Sequence, residues 1–253
     1  MHKDDIALLD IVDLPAALGL LTRLPVALNT ERATARGAAA VWTYPLVGAL
    51  MGVILASAAA LMNAIGLPHG IIAALVLALS VILTGAMHED GLADSADGLW
   101  GGWEPARRLE IMKDSHIGVY GVCAIALTLL LRWMALTLIV SLGAYWTALI
   151  VVGALSRTGM VGLMAILPHA RSSGLSHAVG RPPERAVWLA LAIAAVIALL
   201  CGFLWLIPVA LIAALSCAAI ARMKIGGQTG DILGATQQIT EIAMLLALTV
   251  LLP

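Results

Sequence analysis

The chain has 253 residues, of which 62% are hydrophobic and only 11% charged, and its mean hydropathy is +1.02. Soluble globular domains carry about 25% charged residues, so this composition excludes an ordinary water-soluble domain. The 14 Lys and Arg nearly balance the 15 Asp and Glu, and a net charge of -1 does not provide the basic surface that binds nucleic acid.

The first predicted element covers residues 6–21. Its apolar residues Ile6, Leu9, Val12, Leu14 and Leu18 recur among acidic ones, a spacing typical of an amphipathic helix. We expect this N-terminal segment either to lie at the membrane interface or to pack on the helices that follow.

Seven later stretches are apolar enough to be candidate membrane spans, for which about 20 residues are needed. They cover residues 41–64, 70–87, 119–140, 144–167, 186–206, 208–221 and 232–252. The sixth is short and could be tilted or re-entrant. We predict an all-α, polytopic integral membrane helical bundle of about seven transmembrane helices, folded as a single domain over residues 1–253.

The basic residues are distributed unevenly between the two ends of these spans. Twelve of the fourteen Lys and Arg fall on one side: Lys3, Arg23, Arg32, Arg36, Arg107, Arg108, Lys113, Arg171, Arg181, Arg185, Arg222 and Lys224. Since Lys and Arg are retained in the cytoplasm during insertion, we expect the N-terminus and the polar segments to be cytoplasmic.

An acidic segment follows the second predicted span. Asp90, Asp94 and Asp97 would lie on one face if that span continued as a helix past Gly85. Crowded carboxylates repel one another, and a divalent cation such as Mg²⁺ or Mn²⁺ would relieve the repulsion. The alternative is a solvated loop with turns at the Asp-Gly pairs. Glu89 would point away from this face.

A glycine-rich segment, GGQTGDILGATQQ, covers residues 226–238. Glycine-rich turns that lead into a helix can bind an anion through backbone N–H groups. Gly227 would expose such a group, while Gln228 and Thr229 add donors suited to a phosphate or a nucleobase edge. The alternative is a turn required only by chain geometry.

Several cations could bind an anionic ligand. Arg157 lies inside a predicted span, where an arginine is by default paired or functional, so it could capture phosphate or form a structural ion pair. Arg132 is better explained as structural. Arg23 and Lys113 could contact phosphate or could anchor topology. Together, the carboxylates, the glycine-rich segment and these cations favour metal-assisted phosphoryl transfer.

Four separated motifs occur in order: HEDGLADSADG, EIMKDSHIGVYG, ALSRTG and GGQTGDILGA. With the earlier LLTRLPV and YPLVGALMG, they make the chain resemble the cobalamin synthase family essentially from end to end. The resemblance implies a bacterial inner-membrane enzyme that joins adenosylcobinamide-GDP to α-ribazole or its 5′-phosphate and releases GMP, with Mg²⁺ required. It also suggests association with other enzymes of the pathway or with further copies of the chain.

The resemblance places the family's acidic motif on Asp90, Asp94 and Asp97, expected to be catalytic and metal-binding. The other motifs fall on Asp114, expected to bind metal, and on Gln228, Thr229 and Asp231, expected to bind substrate. In the implied reaction, the ribazole 3′-hydroxyl attacks phosphorus while one aspartate takes the proton.

Two departures from the family pattern stand out. Relatives often have an apolar residue at Glu89, which argues against a need for that carboxylate. His116 stands where many have arginine, and Lys113 could replace such a phosphate contact.

Two other functions compete with this interpretation. A CDP-alcohol phosphotransferase also uses spaced aspartates at the membrane interface, but here Asp94 follows Ala93 where that family has arginine, and the third carboxylate comes too soon. A secondary transporter would use Arg132, Arg157 and the aspartates as an ion path. The carboxylates, however, cluster at one interface, which disfavours transport.

Overall fold

The computed structural model describes residues 8–252, and its regular secondary structure in that range consists of helices without strands. Its α-helices are α1 (Asp13–Leu21), α2 (Thr30–Arg36), α3 (Tyr44–Ala64), α4 (His69–Thr84), α5 (Met87–Gly101), α6 (Pro105–Ile111), α7 (Val119–Ser141), α8 (Tyr145–Ile166), α9 (Leu175–Val179), α10 (Glu184–Leu200), α11 (Leu206–Ile225) and α12 (Gly230–Leu251). A 3-10 helix, Gly37–Thr43, leads into α3. The all-α prediction is confirmed, while a single domain over 1–253 stays a prediction.

The predicted spans correspond to helices α3, α4, α7, α8, α10, α11 and α12. Five stretches within residues 8–252 are long and apolar enough to cross a membrane, or six if the bent pair α4 and α5 forms one span. The count of about seven is therefore approximate. Helix α10 stops at Leu200, earlier than predicted, because Gly202 turns the chain with φ +78°. Conversely, the sixth span is a full helix of 20 residues.

The N-terminal helix packs on the bundle. The predicted segment starts at Ile6, which lies outside the described residues, as does Lys3; the observed helix, α1, begins at Asp13. Asp13 is fully buried, and its carboxylate accepts hydrogen bonds from the Arg36 guanidinium at 2.6 Å and from Trp42 Nε1 at 2.8 Å. Packing against other helices, one of the two expectations for this segment, is therefore observed, and a place at the membrane interface stays a prediction.

A sharp bend separates α4 from α5. The second span does not continue straight past Gly85, because α4 and α5 meet at 87°, but Asp90, Asp94 and Asp97 still lie on one helix. Gly85 and Ala86 both have positive φ, of 64° and 58°, and glycine adopts that region without a Cβ penalty. The bend turns the polar helix α5 away from the axis of α4.

Close approaches at glycines fix the helices that carry the site. Gly91 of α5 packs against the Asp231 backbone and Gly234 of α12, where a Cβ would lie 2.8 Å from the Asp231 carbonyl oxygen. Gly48 and Gly153 bring α3 and α8 together in the same way. Small residues allow such contacts between membrane helices, whose association depends on van der Waals packing. Helix α5 is thereby held against the start of α12.

Candidate active site

The glycine-rich segment is joined to a second segment, residues 168–170, which follows α8. The Gln228 N–H donates to the Pro168 carbonyl at 2.8 Å, and the Ala170 N–H donates to the Gln228 carbonyl at 2.9 Å. A Cβ on Gly227 would collide with the Pro168 carbonyl oxygen. Glycine at this position is therefore required by the close approach of two chain segments.

Gln228 fastens these segments through its side chain, which is 1% exposed. Its Oε1 accepts a hydrogen bond from Ser176 Oγ at 2.5 Å, and its Nε2 lies 3.1 Å from His169 Nδ1. Burial, reinforced by the charges of His177 and Arg181, lowers the pKa of His169. A neutral imidazole can accept the amide hydrogen of Gln228. Gln228 thus holds His169 and Ser176 in place by direct contacts.

The start of α12 brings Asp231 into the site. Thr229 is the N-cap residue of α12, with its Oγ1 accepting from the Ile232 N–H at 3.3 Å. Asp231 lies in the first helical turn, where the partial positive charge of the helix end favours a carboxylate. Arg171 donates to Asp231 Oδ2 at 2.8 Å. The segment that follows α8 therefore supplies a cation, Arg171, which contacts the carboxylate of Asp231 at the start of α12.

A cavity of about 230 Å³ lies where α1, α5, α8, α9 and α12 converge. Its polar lining includes Asp90, Asp231, Arg171, His169 and His177. Its apolar lining includes Tyr44, Met87, Met160 and Met164, which belong to or pack on one hydrophobic cluster. A mostly apolar, concave pocket with a few converging polar groups is typical of a ligand site.

Carboxylates crowd one another on α5, the helix that contributes Asp90 to the cavity lining. Asp90, Asp94 and Asp97 lie on successive turns of α5, which is not among the five spans. Burial is the largest cause that raises the pKa of Asp94 to about 7, followed by the charges of Asp90, Asp231 and Asp97, while Arg171 opposes the rise. Several like charges on one small region favour a bound cation or a bound proton.

Asp97 differs from its neighbours because both of its carboxylate oxygens accept backbone hydrogen bonds. The Gly118 N–H donates to Oδ2 at 2.7 Å, and the Gly121 N–H donates to Oδ1 at 2.9 Å. These amides belong to the first turn of α7, whose N–H groups have no partner within the helix. Asp97 is 8% exposed and anchors α7 to α5.

The oxygen-only set of carboxylates suits a hard divalent cation, and Mg²⁺ is commonly bound through one or two carboxylates plus substrate phosphates. Among residues 8–252, however, no group of three or more His, Cys, Asp or Glu side chains is placed to hold a metal ion. The repulsion around Asp94 fits a cation whose remaining ligands come from a phosphorylated substrate and water.

Asp94, Asp97 and the remaining predicted site residues are not part of the cavity lining. Arg157 is buried inside the bundle and donates to the Gly153 carbonyl at 3.2 Å and to Ser156 Oγ at 3.3 Å. Arg23 packs against Gly85 at the bend between α4 and α5. Their assignment to substrate binding stays a prediction.

Asp114 and Lys113 lie beyond α6. Asp114 is exposed and accepts the His116 N–H at 3.0 Å, with His116 Nδ1 at 2.7 Å. The hydrogen bonds from His116 lower its pKa. The structure does not bring Asp114 into the group of carboxylates around Asp94. Lys113 lines a neighbouring cleft that shares Arg171 with the main cavity.

Sequence reasoning missed the segment HARSSGLSH at residues 169–177 as part of the site. By sequence alone, Arg171 bears only on topology, and His169, Ser176 and His177 are not predicted site residues. A signal was available, because two histidines and three serines occur in a polar segment on the same predicted side as the aspartates. This composition does not indicate that the segment would pair with the glycine-rich segment around Gln228.

Comparison with known proteins gives a consistent result. A family model described as cobalamin-5-phosphate synthase matches residues 13–249. Similar proteins named adenosylcobinamide-GDP ribazoletransferase occur in Bradyrhizobium diazoefficiens (42% identical; 93% of this chain and 92% of the relative covered) and Mesorhizobium japonicum (42%; 95% and 93%). A third, from Azorhizobium caulinodans, is 39% identical, with 95% and 96% covered. No solved structure matches the chain.

Proposed function

The chain belongs to the cobalamin-5-phosphate synthase family, and we propose that it transfers adenosylcobinamide phosphate from adenosylcobinamide-GDP to α-ribazole or α-ribazole 5′-phosphate. GMP leaves, and adenosylcobalamin or its 5′-phosphate forms. The observation that carries this proposal is the match over nearly the whole chain to relatives named for the reaction. The cavity supports it, since carboxylates and Arg171 converge there.

In this reaction the 3′-hydroxyl oxygen of the ribazole attacks the phosphorus attached to cobinamide. The phosphoanhydride bond to GMP breaks, and the hydroxyl proton passes to a carboxylate of the site. Asp94 is the best-matched acceptor, because burial and its acidic neighbours raise its pKa to about 7, close to the pH at which a general base is most effective. Arg171 is placed to hold a phosphate oxygen near Asp90 and Asp231.

We further propose that Mg²⁺ is required and that Asp90 and Asp231, the two carboxylates that line the cavity, would hold it together with substrate phosphates and water, while Asp94 remains free to take the proton. When bound, it would neutralise charge on the pyrophosphate and orient it for in-line displacement. This ligand set replaces Asp97 and Asp114, because Asp97 uses both oxygens on backbone amides and Asp114 is bound to His116.

The test is GMP release and corrinoid product formation by the purified chain in detergent, with and without Mg²⁺. Wild type should turn over only with Mg²⁺. Asp94→Asn should lose about a hundredfold or more in kcat, since a positioned general base contributes about 10²–10⁴-fold. Arg222→Gln, which removes an exposed cation outside the cavity, is the matched control. No turnover by folded wild type would refute the transferase proposal.

The apolar helices indicate a multi-pass membrane protein, and we propose the bacterial inner membrane with the N-terminus and active site cytoplasmic. The support is the one-sided distribution of Lys and Arg. Single cysteines introduced at exposed Trp103 and exposed Gly143, in a variant without native cysteines, should react differently with an impermeant thiol reagent in intact cells. Labelling of position 143 alone is expected, and labelling of position 103 alone would reverse the orientation.

A further inference from the structure

An open cleft lies beside the main cavity, between α6 and the segment that follows α8. Lys113, Glu110, Arg171, Ser172 and Ser173 line it. Arg171 and Ser173 line the main cavity as well, so the two spaces share a wall. A ligand that reaches the carboxylates could therefore extend past Arg171 into this cleft.

The charges of the cleft favour an anion. Lys113 is exposed and forms no ion pair within residues 8–252, whereas Glu110 is paired with Arg107 at 2.8 Å. Arg171 uses one terminal nitrogen on Asp231, and its buried Nε has no hydrogen-bond partner among the described residues. A buried N–H without an acceptor is costly. An anion between Arg171 and Lys113 would provide that acceptor.

We propose that this cleft binds the 5′-phosphate of the acceptor, α-ribazole 5′-phosphate, through Lys113 and Arg171. The inference rests on the proposed function and adds a subsite to it. In the acceptor, the attacking 3′-hydroxyl and the 5′-phosphate belong to one ribose, so the hydroxyl can face the carboxylates only if the phosphate is nearby. Arg171 lies at the junction of the two spaces, where such a ribose would sit.

The openness of the cleft also explains how one protein could accept α-ribazole with or without its phosphate. Lys113 is in contact with water, so an absent phosphate leaves its ammonium hydrated. A closed subsite would instead leave a desolvated cation unpaired, which is costly. The exposed serine side chains of Ser172 and Ser173 are additional donors to phosphate oxygens.

The experiment compares two acceptors on the same purified full-length protein in detergent. For Lys113→Gln, KM for α-ribazole 5′-phosphate should rise about fivefold, the effect of losing roughly 1 kcal/mol at an exposed charge. KM for α-ribazole and kcat with either acceptor should not change. Glu110→Gln should have the opposite effect and lower KM for the phosphorylated acceptor, because it removes a negative charge from the cleft. Both effects should shrink in high salt, because exposed charges are screened.

Arg222→Gln is the matched control, since it removes an exposed cation that lines neither space. Equal KM changes with both acceptors, or none, would overturn the inference while leaving the transferase proposal intact. If Lys113→Gln raised KM for adenosylcobinamide-GDP with both acceptors, the cleft would serve the donor's phosphates and the inference would again fail. Absence of turnover by folded wild type would refute the proposed function itself.

Discussion

Glu89 of α5 and Arg132 of α7 form a buried ion pair, with 3.0 Å between Glu89 Oε1 and the Arg132 guanidinium. The same guanidinium contacts Glu241 Oε1 of α12 at 2.7 Å, and Gln238 of α12 donates to Glu89 Oε1 at 3.1 Å. These contacts link three helices through one arginine that is 1% exposed. Glu89, expected from the family pattern to be dispensable, fixes the orientation of the helix that presents Asp90 and Asp94.

Arg132→Met should lower the stability of the protein strongly. Removing one partner leaves Glu89 and Glu241 as buried charges without a cation, which costs about 3–5 kcal/mol in soluble proteins. Thermal unfolding in detergent measures the effect as a lower melting temperature. Arg107→Gln is the control, because Arg107 and its partner Glu110 are 61% and 69% exposed and such pairs contribute about 0–1 kcal/mol. Similar shifts for both variants would contradict a structural role for the buried pair.

Asp94 should make stability depend on pH in the absence of Mg²⁺. Its pKa in the folded protein, about 7, lies above the ordinary value of 3.8, so the folded state holds this proton more tightly than the unfolded state. Stability should therefore fall as pH rises from about 4 to about 7 and level off above that. The measurement is the difference in melting temperature between wild type and Asp94→Asn across this range.

In that comparison, Asp94→Asn should be the more stable protein at pH 8 and should lose its advantage near pH 4. Mg²⁺ at pH 8 should stabilise wild type more than the variant, because the carboxylates that repel one another around Asp94 would share a cation. A difference in melting temperature that does not vary with pH would show that the ionised carboxyl carries no cost in the folded state.

Asp97→Ala should destabilise the protein, in contrast to Asp94→Asn. Its carboxylate accepts the Gly118 and Gly121 N–H groups at the start of α7, and loss of a capping residue costs about 0.5–2 kcal/mol. The free energy of unfolding, measured with denaturant in mixed micelles, should fall accordingly. Asp97→Asn should recover part of the loss, because its side-chain carbonyl can still accept one bond. Unchanged stability of Asp97→Ala would assign Asp97 to the chemistry instead of to anchoring α7.

Gly227→Ala should impair activity by separating the two segments that form the cavity wall. The added Cβ would meet the Pro168 carbonyl oxygen, and displacements of about 1 Å can reduce catalysis about a hundredfold. The measurement is kcat/KM for GMP release. Gly162→Ala is the control, since a Cβ there meets no heavy atom within 4 Å. Full activity of Gly227→Ala would mean that the segments can shift without disturbing the site.

The sequence alone determined which segments are suited to lipid and which to water, and much of the local structure. Long apolar stretches placed the helices within a few residues, because helix formation in lipid depends on local hydrophobicity and on satisfying backbone hydrogen bonds within the segment. The spacing of Asp90, Asp94 and Asp97 correctly placed them on one helix. The glycine-rich segment predicted Gln228 and Thr229 as ligand contacts, and the family resemblance added Asp231; all three line the cavity.

Only the tertiary structure decided which distant residues meet. Residues 168–170 pair with Gln228, Asp97 anchors α7, and Arg171 faces Asp231, whereas Arg157 is enclosed in the bundle. Arg171 therefore lines the cavity, and Arg157 does not. A residue's type and local pattern define what it can bind, but its partners depend on how helices bend at Gly85 and approach at Gly91, and these contacts join segments far apart in sequence.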